Sequence, residues 1–250
     1  MALRFDFHAH TGPYAEDRPA DELIAMLDAH QLDRSVAFPS RGLHASPSMY
    51  ARANDYVAEA MQRFPDRISG FCTINSWHRD EALGEFERGV RQLGLRGLKL
   101  HPPTQGFDVF NLDLMGPIMQ LAGELNVPVA IHGGIREHDN PLRFALLSEA
   151  YPDVRLVMLH SNFGGTDRVA IRWAAEHTRN LYFETSASSE PAFIDALAGW
   201  SSPARILYGS DWPWLPPRLM MAIVEYSSLH EEARQDILGR NAGRLMGVAS

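Results

Sequence analysis

The stretch Asp6-Phe7-His8-Ala9-His10 sets two imidazoles two residues apart at the end of the first apolar run. Alternate side chains of an extended strand share a face, so His8 and His10 point the same way and make half of a metal site. A pair of structural histidines is the plain alternative, because histidine is a common polar residue as well as a metal ligand. Three further apolar runs, however, close on His132, His160 and Asp211. Of 11 histidines, five (His8, His10, His101, His132 and His160) end predicted strands, whereas structural histidines would scatter over helices and loops. His8, His10 and His132 with the carboxylate of Asp211 suit Zn²⁺, or Mn²⁺ or another divalent ion, and His160 is left over. Against this stand a turn aspartate in Ser-Asp-Trp-Pro and a satisfied core histidine at 160. Lys99 and His101 share a face at the end of the fourth run, where the lysine can attract an anionic substrate or pair with a carboxylate.

These residues need a frame that brings strand ends together. β-rich runs at 3–10, 35–39, 68–75, 97–101, 127–132, 156–160, 181–185 and 206–211 alternate with amphipathic segments at 20–29, 49–64, 80–93, 114–125, 141–150, 166–176 and 191–200. The recurrence has the size of a βα unit, and parallel strands need such helical crossovers. Eight consecutive units predict an α/β fold, a closed (β/α)₈ TIM barrel, as one domain over residues 1–250. Helical patterns at 218–229 and 231–246 form a C-terminal extension, the second closing the barrel. Gly133-Gly134 and Gly164-Gly165 follow strand ends, while Pro65-Asp66 and Pro152-Asp153 stop helices. In such a barrel, functional side chains gather at the C-terminal ends of the strands. The longest irregular pieces, 40–47 and 102–111, fall at that mouth.

Composition excludes several classes. With 250 residues, 45% of them hydrophobic, the chain can bury a large core, yet no run approaches the roughly 18 apolar residues of a membrane span. Lys+Arg 23 against Asp+Glu 31 gives a net charge of −8, with no basic cluster, which argues against nucleic acid and anionic lipid as partners. Cys72 is the single cysteine, so no intrachain disulfide forms. With a start that lacks the pattern of a secretory signal, a cytoplasmic location is expected.

The motifs Asp6-Phe7-His8-Ala9-His10, Ala130-Ile131-His132-Gly133-Gly134, Val157-Met158-Leu159-His160-Ser161-Asn162 and Leu207-Tyr208-Gly209-Ser210-Asp211-Trp212-Pro213 occur in the order that resembles the amidohydrolase superfamily. The likeness covers the chain down to Gly239-Arg240-Asn241-Ala242 and Leu245, and fits the amidohydrolase-related branch, which holds lactonases and non-oxidative decarboxylases. It implies that His8, His10, His132 and Asp211 bind metal and that His160 hydrogen-bonds to metal-activated water or to substrate. A divalent ion lowers the pKa of bound water toward about 7, and Asp211 is the natural base beside it. In binuclear members a lysine on the fourth strand is carboxylated and bridges two metals. The branch implies a single ion here, leaving Lys99 and His101 to the substrate. Arg136 is a further candidate for a substrate carboxylate, and Trp212, Trp214, Phe163 and Tyr14 are candidate pocket walls.

The sequence reading is therefore a metal-dependent hydrolase acting on a small, carboxylated or cyclic lactone or amide, with Asp211 and His160 catalytic and a homodimer as the candidate assembly. The alternative is a non-oxidative decarboxylase of a small aromatic or unsaturated acid. A non-catalytic metal-binding barrel is the third reading.

Overall fold

The computed structural model describes residues 2–12, 18–39, 46–134, 136–164 and 167–248. Among the described residues, nine strand segments run parallel: β1 (Phe5–His10), β2 (Arg34–Phe38), β3 (Ile68–Gly70), β4 (Cys72–Thr73), β5 (Leu98–Leu100), β6 (Val129–His132), β7 (Leu156–Leu159), β8 (Leu181–Glu184) and β9 (Ile206–Leu207). They pair as β1-β2-β3 and as β4 through β9 in order. β3 and β4 are one predicted strand interrupted at Phe71, where the chain changes partners. The Phe71 N–H donates to Ala37 O at 3.0 Å, and the next N–H, of Cys72, donates to Gly97 O at 2.9 Å.

The remaining edge closes without a regular ladder. Phe7 N–H donates to Tyr208 O (2.9 Å), Asp211 N–H to His8 O (2.7 Å) and His10 N–H to Trp212 O (2.9 Å). The strands thus close into the (β/α)₈ barrel that the sequence implies. The run 206–211 stays in the sheet for only two residues, because Tyr208 N–H turns to Ile237 O and Ser210 N–H to the Asp6 carboxylate. The piece 102–111 is not wholly irregular either: Pro102–Gln105 forms a helical turn whose N-cap is His101, with proline at its first position. Residues 40–45 of the other irregular piece, Gly165 and Thr166 lie outside the described residues. Among the described residues no helix is long and apolar enough to cross a membrane.

The predicted helix 231–246 is three pieces in one run: Glu231–Gln235, a π-helical turn Asp236–Arg240, and Asn241–Met246. Widening of the helix sets Gly239 directly on the segment leading into β1, where a Cβ would lie 2.0 Å from Leu3 O. Asn241 Nδ2 donates to Pro203 O and Ile206 O, both at 2.7 Å, and Ala242, Leu245 and Met246 pack on Phe5, Phe7 and Leu207 in the barrel interior. This last helix is the floor of the barrel. Gly239→Ala must move a backbone carbonyl to fit, at a cost of about 1–3 kcal/mol, which lowers the melting temperature by roughly 3–10 °C. Thermal unfolding followed by circular dichroism checks this; an unchanged midpoint contradicts the close packing.

Candidate metal centre

Alternation along the strands decides most of what faces the barrel axis. Val36 and Phe38, Ala130, Val157 and Leu159, and Leu207 share the inner cluster, while Ala37, Leu98 and Leu100, Val129 and Ile131, Leu156 and Met158, and Phe183 and Ile206 belong to the outer core. Lys99, His132 and Glu184 therefore face inward by parity. His8 and His10 do not, since Phe5 and Phe7 already occupy the inner face of β1. The register with β2 slips between Asp6 and Ala9, and beyond the slip Ala9 joins the outer core while both histidines turn inward. His160 and Asp211 also break the alternation: their φ values are 55° and 57°, a left-handed conformation that non-glycine residues rarely adopt.

Together these side chains enclose a cavity of about 30 Å³ lined by His8, His10, Lys99, His101, His132, His160, Asp211 and Trp214. That is room for about one ion or water. His8 Nδ1 lies 3.1 Å from Glu184 Oε2, and His10 Nδ1 lies 3.3 Å from Pro39 O. Carboxylate and carbonyl oxygens only accept, so both Nδ1 atoms carry the proton and both Nε2 atoms present lone pairs. Those two lone pairs sit 3.1 Å apart, each 3.3 Å from Asp211 Oδ1. Three acceptors that close repel one another unless a cation lies between them, so the donor set fits a single divalent ion.

The protonation states agree. Burial holds His8 and His132 well below the ordinary imidazole value and lowers His10, so these imidazoles stay neutral. Burial pushes Asp211 up, but the facing imidazoles of His8, His10 and His160 outweigh it and hold the carboxyl well below its usual range. His132 lines the same cavity, its ring centroid 4.2 Å from His101 and 4.6 Å from His160. Among the described residues it joins neither of the two groups of close donors, His8–His10–Asp211 and His8–His160–Glu184.

The other predicted residues divide. Lys99 is buried, with Nζ 5.1 Å from the centre of the Phe38 ring, and burial lowers its pKa to about 7. His101 Nδ1 accepts the Thr104 N–H at 3.3 Å. Arg136 does not line the cavity; its guanidinium stands 3.6 Å from Asp139 and is more than half exposed. Trp212 packs against the outer core, and Trp214 lines the site instead, its ring centroid 4.6 Å from His10. Phe163 lies at the rim, 6.0 Å from His160 between ring centroids. Tyr14 lies outside the described residues.

Sequence reasoning passed over the supports. Glu184 and Ser186 sit behind His8 and His160, and the signal was a glutamate at an inward position of an apolar strand. Asp6, quoted only as part of the first motif, accepts His8 N–H and Ser210 N–H on Oδ1 (both 2.9 Å) and Ser210 Oγ on Oδ2 (2.6 Å). It ties the segment bearing His8 to the segment bearing Asp211, and burial raises its pKa to about 7 against those bonds. Gly209 completes the join, since a Cβ there would lie 2.2 Å from Glu184 Oε1 and 2.6 Å from His8 Cβ.

Residues 5–248 match the family model described as Amidohydrolase. The γ-resorcylate decarboxylase of Rhodococcus jostii (strain RHA1) is 22% identical over 290 residues, covering 90% of this chain and 86% of the relative. Among solved structures, 2,6-dihydroxybenzoate decarboxylase from Rhizobium superposes with a TM-score of 0.80 at 18% identity over 99% of both chains. The 5-carboxyvanillate decarboxylase from Novosphingobium aromaticivorans DSM 12444, solved with manganese, gives 0.78 at 14% identity over 99% of this chain and 96% of the other. These relatives support the decarboxylase alternative better than the hydrolase reading, and manganese stands in a neighbour where the sequence favours zinc.

Glu184 orients His8 as a carboxylate behind a metal-binding imidazole does, and such partners are worth roughly 10- to 100-fold in metal affinity. Glu184→Gln should weaken Mn²⁺ binding by about that factor with the fold intact, as read by calorimetric titration of the metal-free protein. Equal affinity in the variant would show that Glu184 does not orient a ligand.

Proposed function

Because the chain belongs to the amidohydrolase family, we propose that this enzyme is a non-oxidative decarboxylase of a small hydroxylated aromatic acid, dependent on one divalent ion, Mn²⁺ in the first instance. The observation that carries the reading is the pairing inside one cavity of a cation site, formed by His8, His10 and Asp211, with the buried amine of Lys99. The names of the three relatives described above, each a decarboxylase of an aromatic acid, favour loss of CO₂ over hydrolysis.

His8, His10 and Asp211, with His132 on the adjoining wall, would hold the ion, which when bound offsets the negative charge of the substrate's oxygens. Lys99 in its charged form draws in the carboxylate, and Trp214 with Phe163 flanks the aromatic ring. His160 accepts the proton of a hydroxyl next to the carboxylate. It then gives that proton to the ring carbon bearing the carboxylate. The bond from that carbon to the carboxylate breaks, its electron pair returns to the ring, and CO₂ leaves. The product oxygen regains a proton from solvent, so one proton is consumed per turnover.

The test is a panel of hydroxybenzoic acids, lactones and amides incubated with Mn²⁺-loaded enzyme in ¹⁸O-water. CO₂ should form in step with the decarboxylated phenol, without ¹⁸O in the phenol. A hydrolytic product carrying ¹⁸O, with no CO₂, would return the reading to hydrolysis.

Lys99 adds a pH dependence. Burial lowers its pKa from 10.5 to about 7, so the charged form that attracts a carboxylate is present below that value and is lost above it. KM for the acid should rise as pH climbs through about 7, and Lys99→Met should raise KM at pH 6 and flatten the profile. A rise that survives in Lys99→Met would assign the titration elsewhere.

A further inference from the structure

Behind the cavity, four donors converge on the fully buried carboxylate of Glu184. Ser186 N–H reaches Oε1 at 2.5 Å, while His160 N–H (3.1 Å), Ser186 Oγ (2.8 Å) and His8 Nδ1 (3.1 Å) reach Oε2. Backbone N–H groups can only donate, and a hydroxyl has one proton to give. With its proton on Glu184, Ser186 Oγ has only lone pairs left for His160, whose Nδ1 lies 2.8 Å away. A contact of that length between two acceptors would repel, so the proton between them belongs to Nδ1.

We propose that Ser186 is a positioning residue, which couples Glu184 to His160 and fixes that imidazole as the Nδ1–H tautomer with Nε2 left as the proton acceptor for the cavity. The hydrogen bond from His160 N–H to the same carboxylate grips the residue at backbone and side chain together, at the position where its φ is left-handed. His101 is set the opposite way. Its Nδ1 accepts the Thr104 N–H, so its proton sits on Nε2 and it can donate to a ligand. One cavity therefore holds a histidine arranged to accept and a histidine arranged to donate, with His132 packed between them, tilted against His101 and edge-on to His160. The catalytic consequence rests on the decarboxylase reading: an acid whose hydroxyl adjoins its carboxylate meets an acceptor for the hydroxyl proton and a donor for the carboxylate.

The tautomer itself is read without substrate, from long-range ¹H–¹⁵N spectra of the Zn²⁺-loaded enzyme, the His160 signals being assigned by their loss in His160→Gln. The wild type should show Nδ1 protonated and Nε2 bare. Ser186→Ala should lose that pattern at unchanged metal content, and Ser186→Thr, which keeps the hydroxyl, should retain it. In turnover, Ser186→Ala should lower kcat roughly 10- to 100-fold, and Ser186→Thr should recover most of the loss. His160 protonated on Nε2 in the wild type overturns the proposal, and so does an Nδ1–H pattern that persists in Ser186→Ala. Should Ser186→Ala fail to fold, the wild-type spectrum decides alone. A panel with no CO₂ release would overturn the decarboxylase reading and leave the tautomer to the spectrum.

Discussion

Two imidazole nitrogens and a carboxylate oxygen, none with a proton for the others, are held within 3.3 Å of one another at the mouth of this barrel. Left to themselves they would separate, so their closeness is maintained by what stands behind each of them. Glu184 and Pro39 take the Nδ1 protons of His8 and His10, and Asp6 ties the backbone of His8 to that of Ser210, beside Asp211. Protons are thereby placed on the outside of the cluster and lone pairs on the inside. A divalent cation converts that repulsion into attraction, and the neutral state imposed on the histidines by burial leaves their nitrogens ready for it.

The barrel meets this demand at its seam. β1 lies between β2, with which its register slips, and the 206–211 segment, with which it makes scattered bonds in place of a ladder. Both irregularities fall where the candidate ligands are. The slip turns His8 and His10 inward past two phenylalanines. The early departure of the last strand lets Gly209 lie against His8 and Glu184 and brings Asp211 across. The floor is packed more regularly, with Gly239 and Asn241 fastening the last helix under β1 and β9. Rigidity below and broken alternation above are the physical division between stability and chemistry in this chain.

Much of this was legible in the sequence. Periodicity and punctuation placed the eight strand positions and located helices such as Pro141–Ala150 and Pro191–Trp200 to the residue. Residues that end apolar runs proved to line one cavity, His132 and Lys99 by simple parity. The histidine pair of β1 was placed correctly for an incomplete reason: both do point the same way, but only a register slip makes that way inward. Trp212 and Arg136 lie off this cavity because both follow turns, where direction depends on backbone angles that composition does not reveal. Glu184 and Ser186 were missed because they touch His8 and His160 rather than the cavity. No motif marks such a support; only three-dimensional pairing does.

The central claim, that the facing lone pairs of His8, His10 and Asp211 exist to hold one cation, is tested most directly by crystals grown with Mn²⁺ and anomalous diffraction at the manganese edge. One peak per chain should appear about 2.0–2.3 Å from His8 Nε2, His10 Nε2 and an Asp211 oxygen, with His132 as the fourth protein ligand, and it should vanish in the His8→Ala, His10→Ala double variant. A pair of peaks bridged by a modified Lys99, a peak away from these three atoms, or none at saturating metal would contradict the account.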